Sequence, residues 1–189
     1  CKKIILHNIQ SLNKHYSQLK FDKRFIEAEI ICLTETWLLP KQDISHLQLE
    51  GFQLHHLSRK EAYNDSNDQV KMLANSKGGG VAIYFQDSNE DKHIVKSSVP
   101  NIECIAVKFL REDIIIVTIY RPPMLNVTMF LHCLKSLINS MKDQTKKCIF
   151  LGDFNEDIKL KGPIQTFMEE NGYRQIVHFF TTEGGTTLD

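Results

Sequence analysis

Short apolar runs separated by polar or turn-forming residues recur along the chain, and runs of this length mark buried strands. They cover Lys3 to Ile9, Glu29 to Thr34, Phe52 to Leu57, Gly80 to Phe85, Ile102 to Leu110, Ile114 to Tyr120, Lys147 to Leu151 and Gln175 to His178. Helical spacing appears between some of them. Leu12, Tyr16 and Leu19 share one face, and Val127, Phe130, Leu131, Leu134, Leu137, Ile138 and Met141 form a stronger stripe. A third helix is predicted from Pro163 to Glu170, with proline at its start and Gly172 just past its end. The most polar stretch, Ser58 to Lys77, reads as a long surface loop, and Gly78-Gly79-Gly80 after it as a sharp turn into the next strand. Strands clustered in pairs and mixed with helices predict α/β layers around a mixed sheet, in one domain spanning residues 1–189.

Composition narrows the possibilities without pointing to a partner. The 189 residues, 42% hydrophobic, suffice for a single core that removes roughly 70% of the unfolded surface from water. Lys and Arg number 23 against 23 Asp and Glu, so net charge gives no bulk attraction to nucleic acid or a membrane, and any anionic partner must be met locally. There is no run of roughly 18 apolar residues and no basic-apolar-small order at the start, so the reading is an intracellular protein without a membrane partner. Five widely spaced cysteines without a Cys-x-x-Cys pair read as reduced thiols. Opening at Cys1 and closing at Asp189 with no terminator, the chain is expected to be an excerpt from a longer polypeptide.

Two acids occupy the same kind of place. The run Ile30 to Thr34 ends in Glu35, and Cys148 to Leu151 ends, after Gly152, in Asp153, with Asn155 two residues on. Carboxyl ends of parallel strands open on one side of an α/β sheet, where ligand crevices form. Two carboxylates there repel each other unless a cation lies between them, and hard oxygen ligands suit Mg²⁺ or Mn²⁺. From spacing alone, both acids are equally well read as surface residues that end strands. Lys159, Lys161 and Lys146-Lys147 read as solvated charges, and Trp37 as a packing wall. Arg121, before Pro122-Pro123, is equally a DNA-phosphate contact or an ordinary surface arginine. Gly-x-Ser-x-Gly, His-Glu-x-x-His and Gly-x-Gly-x-x-Gly are missing, which disfavours serine hydrolases, zinc proteases and dinucleotide enzymes.

Five segments in order, His7-Asn8-Ile9-Gln10-Ser11-Leu12, Leu33-Thr34-Glu35-Thr36-Trp37, Gly79-Gly80-Val81-Ala82-Ile83-Tyr84, Tyr120-Arg121-Pro122-Pro123 and Leu151-Gly152-Asp153-Phe154-Asn155, tip the balance. Together they resemble the exonuclease, endonuclease and phosphatase superfamily, and within it the endonuclease domain of non-LTR (LINE-type) retrotransposons. The resemblance implies a DNase I-like fold of two packed mixed β-sheets flanked by helices in four layers. It makes Glu35 the principal metal ligand, with Asn8 organising metal and substrate, Tyr120 contacting the scissile phosphate, Asp153 activating the attacking water and Asn155 hydrogen-bonding phosphate oxygens. Thr182, or Thr181 in its place, and Asp189 stand where the family has a further supporting pair. It implies Mg²⁺, with Mn²⁺ as a substitute, DNA as substrate, action in the nucleus, and a neighbouring reverse transcriptase region in the parent protein.

One departure is as informative. The family closes on a Ser-Asp-His segment, and no such segment occurs up to Asp189. The expectation is a domain lacking its last strand, weakly active alone, with an unpaired sheet edge. Neither His7, His55, His56 nor His178 is expected to replace the missing histidine. Two other readings stay open: a decayed or domesticated module that only binds, and a phosphatase acting on a small phosphate ester or phosphoinositide.

Overall fold

The computed structural model describes residues 3–64, 67–86, 92–96, 99–142, 144–145, 147–157 and 160–176. Two four-stranded mixed sheets pack face to face with helices outside them. The first sheet contains β1 (Ile4–Asn8), β2 (Ile30–Thr34), β3 (Phe52–Leu57) and β4 (Val81–Gln86), in the order β1-β2-β4-β3. The second contains β5 (Lys92–Lys96), β6 (Glu103–Phe109), β7 (Ile114–Tyr120) and β8 (Lys147–Asp153), in sequence order. Each holds one parallel pair, β1 with β2 and β7 with β8, and its other pairings are antiparallel.

The unbroken apolar strands follow from this layering, because a strand covered on both faces has no solvent side to keep polar. Ile30 and Cys32 of β2 enter the core between the sheets with Val81, Ile83, Ile105 and Ile116. Ile31 and Leu33 point the other way, onto Leu12 and Leu19 of α1 (Leu12–Phe21). In β7, Ile116 and Tyr120 face the first sheet. Ile115, Val117 and Ile119 lie under α5 (Val127–Lys142), which buries Phe130, Leu134, Leu137, Ile138 and Met141 along one stripe. Asn126 caps that helix by accepting the Met129 N–H at 3.2 Å. Two further short helices, α2 (Lys23–Ile26) and α6 (Pro163–Glu170), complete the outer layers, the last with the proline start read from sequence.

The polar stretch after Ser58 is not a loop. It holds α3 (Arg59–Ala62) and α4 (Asp68–Asn75). Ser58 Oγ accepts the Glu61 N–H at 3.3 Å while Glu61 Oε2 accepts the Ser58 N–H at 3.1 Å, a reciprocal cap. Asn67 Oδ1 caps α4 through Gln69 N–H at 2.9 Å. Ala62, Tyr63, Val70 and Leu73 join the core beneath α5. Two boundaries also move: β8 continues through Gly152 to Asp153, and the run from Gln175 forms no strand over Gln175 and Ile176, Val177 and His178 lying outside the described residues. Among the described residues β8 is an edge strand, and no helix is long and apolar enough to cross a membrane. Cys32, Cys104, Cys133 and Cys148 are unbridged.

Candidate active site

Strand directions gather the functional segments at one end of the sandwich. β1, β2 and β3 all end there, with Asn8 beside Thr34 and Leu57 beside Val81 at the start of β4. In the second sheet Tyr120 pairs with Asp153 across the parallel β7–β8 ladder and with Glu103 at the start of β6. Residues far apart in sequence therefore share one rim.

Glu35 is the first residue after β2 and sits at φ 56°, a left-handed conformation costly for a side chain with a Cβ. Its backbone is held on both sides: the Glu35 carbonyl accepts Ser11 N–H at 2.9 Å, and Thr36 and Trp37 N–H groups donate to Gly80 and Gly79 carbonyls at 3.2 and 2.9 Å. The carboxylate is aimed by two donors on one oxygen, Gly79 N–H at 2.7 Å and Trp37 Nε1–H at 2.6 Å, both to Oε2. Gly78, Gly79 and Gly80 all have φ between 73° and 87°, and a Cβ on Gly78 would lie 2.9 Å from Glu35 Oε2, so the turn read from sequence is also the mould of the acid. Trp37 remains 47% exposed, so it borders the site instead of walling it in.

The second sheet supplies Asp153. Asn8 Nδ2 donates to its Oδ2 at 3.0 Å, across the gap between sheets, and Asn155 N–H donates to Oδ1 at 3.0 Å. Burial raises the Asp153 pKa above the usual carboxylate value, the two donors work against that rise, and the nearby Glu35 charge adds to it. The two acids are thus within electrostatic reach of each other. Tyr120, 3% exposed, has its phenol pKa raised by burial and then by a side-chain hydrogen bond to Glu35.

Arg121 differs from expectation. It is 6% exposed, with Nε donating to the Phe154 carbonyl at 2.7 Å, one terminal nitrogen to Leu125 at 3.0 Å and the other to Asn155 at 2.8 Å. Asn155 Nδ2 returns a bond to the Arg121 carbonyl at 2.8 Å. The guanidinium faces the Asp153–Asn155 turn from within and satisfies its carbonyls, instead of facing a phosphate in solvent. The Asn155 amide has one of its hydrogens committed in the same clasp.

No three His, Cys, Asp or Glu side chains converge among the described residues. What the rim offers is the Glu35 carboxylate, the Asn8 amide oxygen on the group whose nitrogen is spent on Asp153, and Asp153 itself. Few carboxylates and otherwise open positions fit Mg²⁺ or Mn²⁺, which keep several waters and take substrate phosphate oxygens. His7 packs on Phe25 with ring centroids 5.5 Å apart, and His55 stacks on Phe85 at 5.6 Å, so both are packing residues. Thr181, Thr182, Asp189 and His178 lie outside the described residues. A cavity of about 810 Å³ between α5, β8 and α6 includes no residue of the rim.

Two members of the rim were not singled out from the sequence, Arg59 and Glu103. They form a buried ion pair at 2.8 Å, with side-chain exposures of 8% and 0%. The Ser-Arg-Lys-Glu capping pattern was the local signal for the helix that carries Arg59. Nothing local marks Glu103 as its partner.

The sequence pattern of the Endonuclease/Exonuclease/phosphatase family matches residues 5–173. No curated protein sequence matches the chain. Among solved structures, the endonuclease domain of TRAS1, a telomere-specific non-LTR retrotransposon, superposes with a TM-score of 0.61 at 15% identity, covering 100% of this chain and 81% of that one. An AP endonuclease from Archaeoglobus fulgidus gives 0.56 at 16% identity, covering 97% and 80%. The 3′ phosphatase NExo from Neisseria, bound to a product DNA hairpin, gives 0.57 at 20% identity. This chain spans 59% of that protein's length, and 83% of this chain is covered. At these identities the likeness is one of fold.

Proposed function

Because the chain belongs to the Endonuclease/Exonuclease/phosphatase family, we propose that it is a Mg²⁺-dependent phosphodiester hydrolase that nicks DNA, the endonuclease domain of a retrotransposon-type protein with a reverse transcriptase region. One observation carries this reading: the Asn8–Asp153 hydrogen bond at 3.0 Å joins the ends of β1 and β8 beside Glu35. An aimed carboxylate, an amide oxygen and a half-buried carboxylate with raised proton affinity thereby stand on one rim.

Glu35 and the Asn8 amide oxygen are the residues to hold the cation. Its chemistry, when bound, is to spread the negative charge that develops on the phosphoryl oxygens. The remaining work belongs to the chain. Asp153 accepts the proton of the attacking water; burial strengthens it as a base, and its two donors hold one oxygen each. Asn155 keeps one amide hydrogen for a phosphoryl oxygen, and Tyr120, a neutral phenol held protonated by burial, gives a phosphoryl oxygen the one O–H that bonds Glu35 in the free protein. Arg121 acts indirectly, by holding the Asp153–Asn155 turn.

Supercoiled plasmid, an abasic duplex and an inositol phosphate, each incubated with the natural polypeptide in Mg²⁺ and in chelator, rank the substrates. Nicked plasmid in Mg²⁺ alone is the expected result. Turnover of the inositol phosphate with intact plasmid would replace this reading by the phosphatase one.

A further inference from the structure

The Arg59–Glu103 pair has no part in the chemistry above, yet it lies directly under it. Removing two charges from water costs several kcal/mol per ion, and well-packed apolar residues often serve stability as well or better. A pair with Glu103 fully buried therefore calls for a reason besides stability.

Its contacts supply one. Arg59 Nε donates to Glu103 Oε1 at 2.8 Å, and one terminal nitrogen donates to Ser76 Oγ and to the Lys77 carbonyl, both at 3.0 Å. The guanidinium lies against Gly79 where a Cβ would otherwise stand, with its carbon 5.6 Å from the centroid of the Tyr120 ring. The other Glu103 oxygen accepts the Gly80 N–H. The two consecutive amides after Gly78 are thus divided between two carboxylates, Gly79 to Glu35 Oε2 at 2.7 Å and Gly80 to Glu103. Because adjacent peptide planes share a Cα, fixing the second restricts the direction of the first. A buried pair of this kind bridges the glycine turn, the Tyr120 ring and, through one amide, the Glu35 carboxylate.

We propose that Arg59 and Glu103 are positioning residues that set the orientation of the Glu35 carboxylate for a divalent cation. This rests on the reading of Glu35 as the residue that holds the cation, and the test separates the two. Trp37 is the only tryptophan and donates to Glu35 Oε2 at 2.6 Å, so its fluorescence reports on that carboxylate in the full chain without DNA. Titrating Mg²⁺, and Mn²⁺ as a quencher, gives the half-saturation of wild type, Glu35→Gln, Arg59→Lys, Arg59→Met and Glu103→Gln. Thermal unfolding of each identifies the variants that remain folded.

Outer-shell partners of metal ligands typically contribute 10–100-fold in affinity, so folded Arg59→Met and Glu103→Gln should need about tenfold more cation or beyond. Arg59→Lys, which keeps the charge and loses the fork, should fall between them and wild type. In nicking assays the half-saturating Mg²⁺ should rise by the same factor with KM for DNA unchanged, a shift that a smaller folded fraction, which only lowers the apparent kcat, does not give. If the pair's variants fail to fold, Ser76→Ala removes only one bond to Arg59 and should raise the half-saturation about two- to fivefold. Folded variants with wild-type half-saturation, or an unchanged Ser76→Ala where that variant is the probe, overturn the proposal. Absence of a fluorescence response in wild type, or a normal one in Glu35→Gln, removes the metal reading itself and the proposal with it.

Discussion

Arg121→Met removes the clasp that holds the Asp153–Asn155 turn. Three charged donors, to the carbonyls of Leu125, Phe154 and Asn155, vanish together. Hydrogen bonds to charged groups contribute about 1.5–3 kcal/mol each, and a simple sum overshoots because the bonds share one turn and methionine leaves no buried charge behind. The expected net loss is about 3 kcal/mol, since the carbonyls of the turn lose partners at a site 6% exposed. For a chain of this size each kcal/mol lowers the thermal midpoint by about 2–4 °C, so the fall should be about 6–12 °C. Differential scanning calorimetry measures it, alongside DNA binding at two salt concentrations. An exposed phosphate contact would behave in the opposite way, with an unchanged midpoint, weaker binding and a shallower salt dependence. That pattern would refute the clasp.

Other consequences follow from the same geometry. Gly152→Ala places a Cβ inside the van der Waals radius of the Ile119 carbonyl on the neighbouring strand, and should destabilise by about 1–3 kcal/mol in chemical denaturation. Ser58→Ala breaks the reciprocal cap of α3 and should cost about 1 kcal/mol, read in the same assay. The Cys32 and Cys148 thiols are both pushed by burial up to about 12 from an ordinary value of 9.0. Above pH 9 the unfolded chain therefore releases protons the folded one retains, so stability present below pH 9 is lost as pH rises toward 12, each thiol contributing a slope of about 1.4 kcal/mol per pH unit. Denaturation at pH 8, 9 and 10 should show that slope reduced in Cys32→Ala; an unchanged slope would count against the burial argument.

The sequence was most readable where one local pattern had one outcome. β3 and β7 fall on the runs that predicted them, β7 because burial on both faces leaves little alternative, and α6 on its proline start, because a proline suits the first turn. β5 was missed: Lys92–Lys96 places only Ile94 and Val95 between charged residues, the composition of a protected edge strand and too short for a periodic signal. α3 and α4 read as loop from the sequence because polar residues dominate there, although the caps at Ser58 and Asn67 and the Val70–Leu73 spacing favour helix. Within the site, Glu35, Asp153, Asn8 and Tyr120 were legible from segment order, and the structure brings them to one rim. The bonds of Arg121 to Phe154 and Asn155 and the pairing of Arg59 with Glu103 were not, because these partners lie 33, 34 and 44 residues away and only the completed sheets bring them near.

The central claim is that Glu35 and Asp153 act on one phosphodiester with one divalent cation. Single-turnover nicking of supercoiled plasmid by the natural polypeptide at saturating Mg²⁺, comparing wild type with Glu35→Gln and Asp153→Asn of matched thermal midpoint, tests it directly. The account predicts that each variant loses at least about a thousandfold in rate, about 4 kcal/mol of barrier, and that chelator abolishes the wild-type reaction. Nicking by either folded variant within about tenfold of wild type would contradict it.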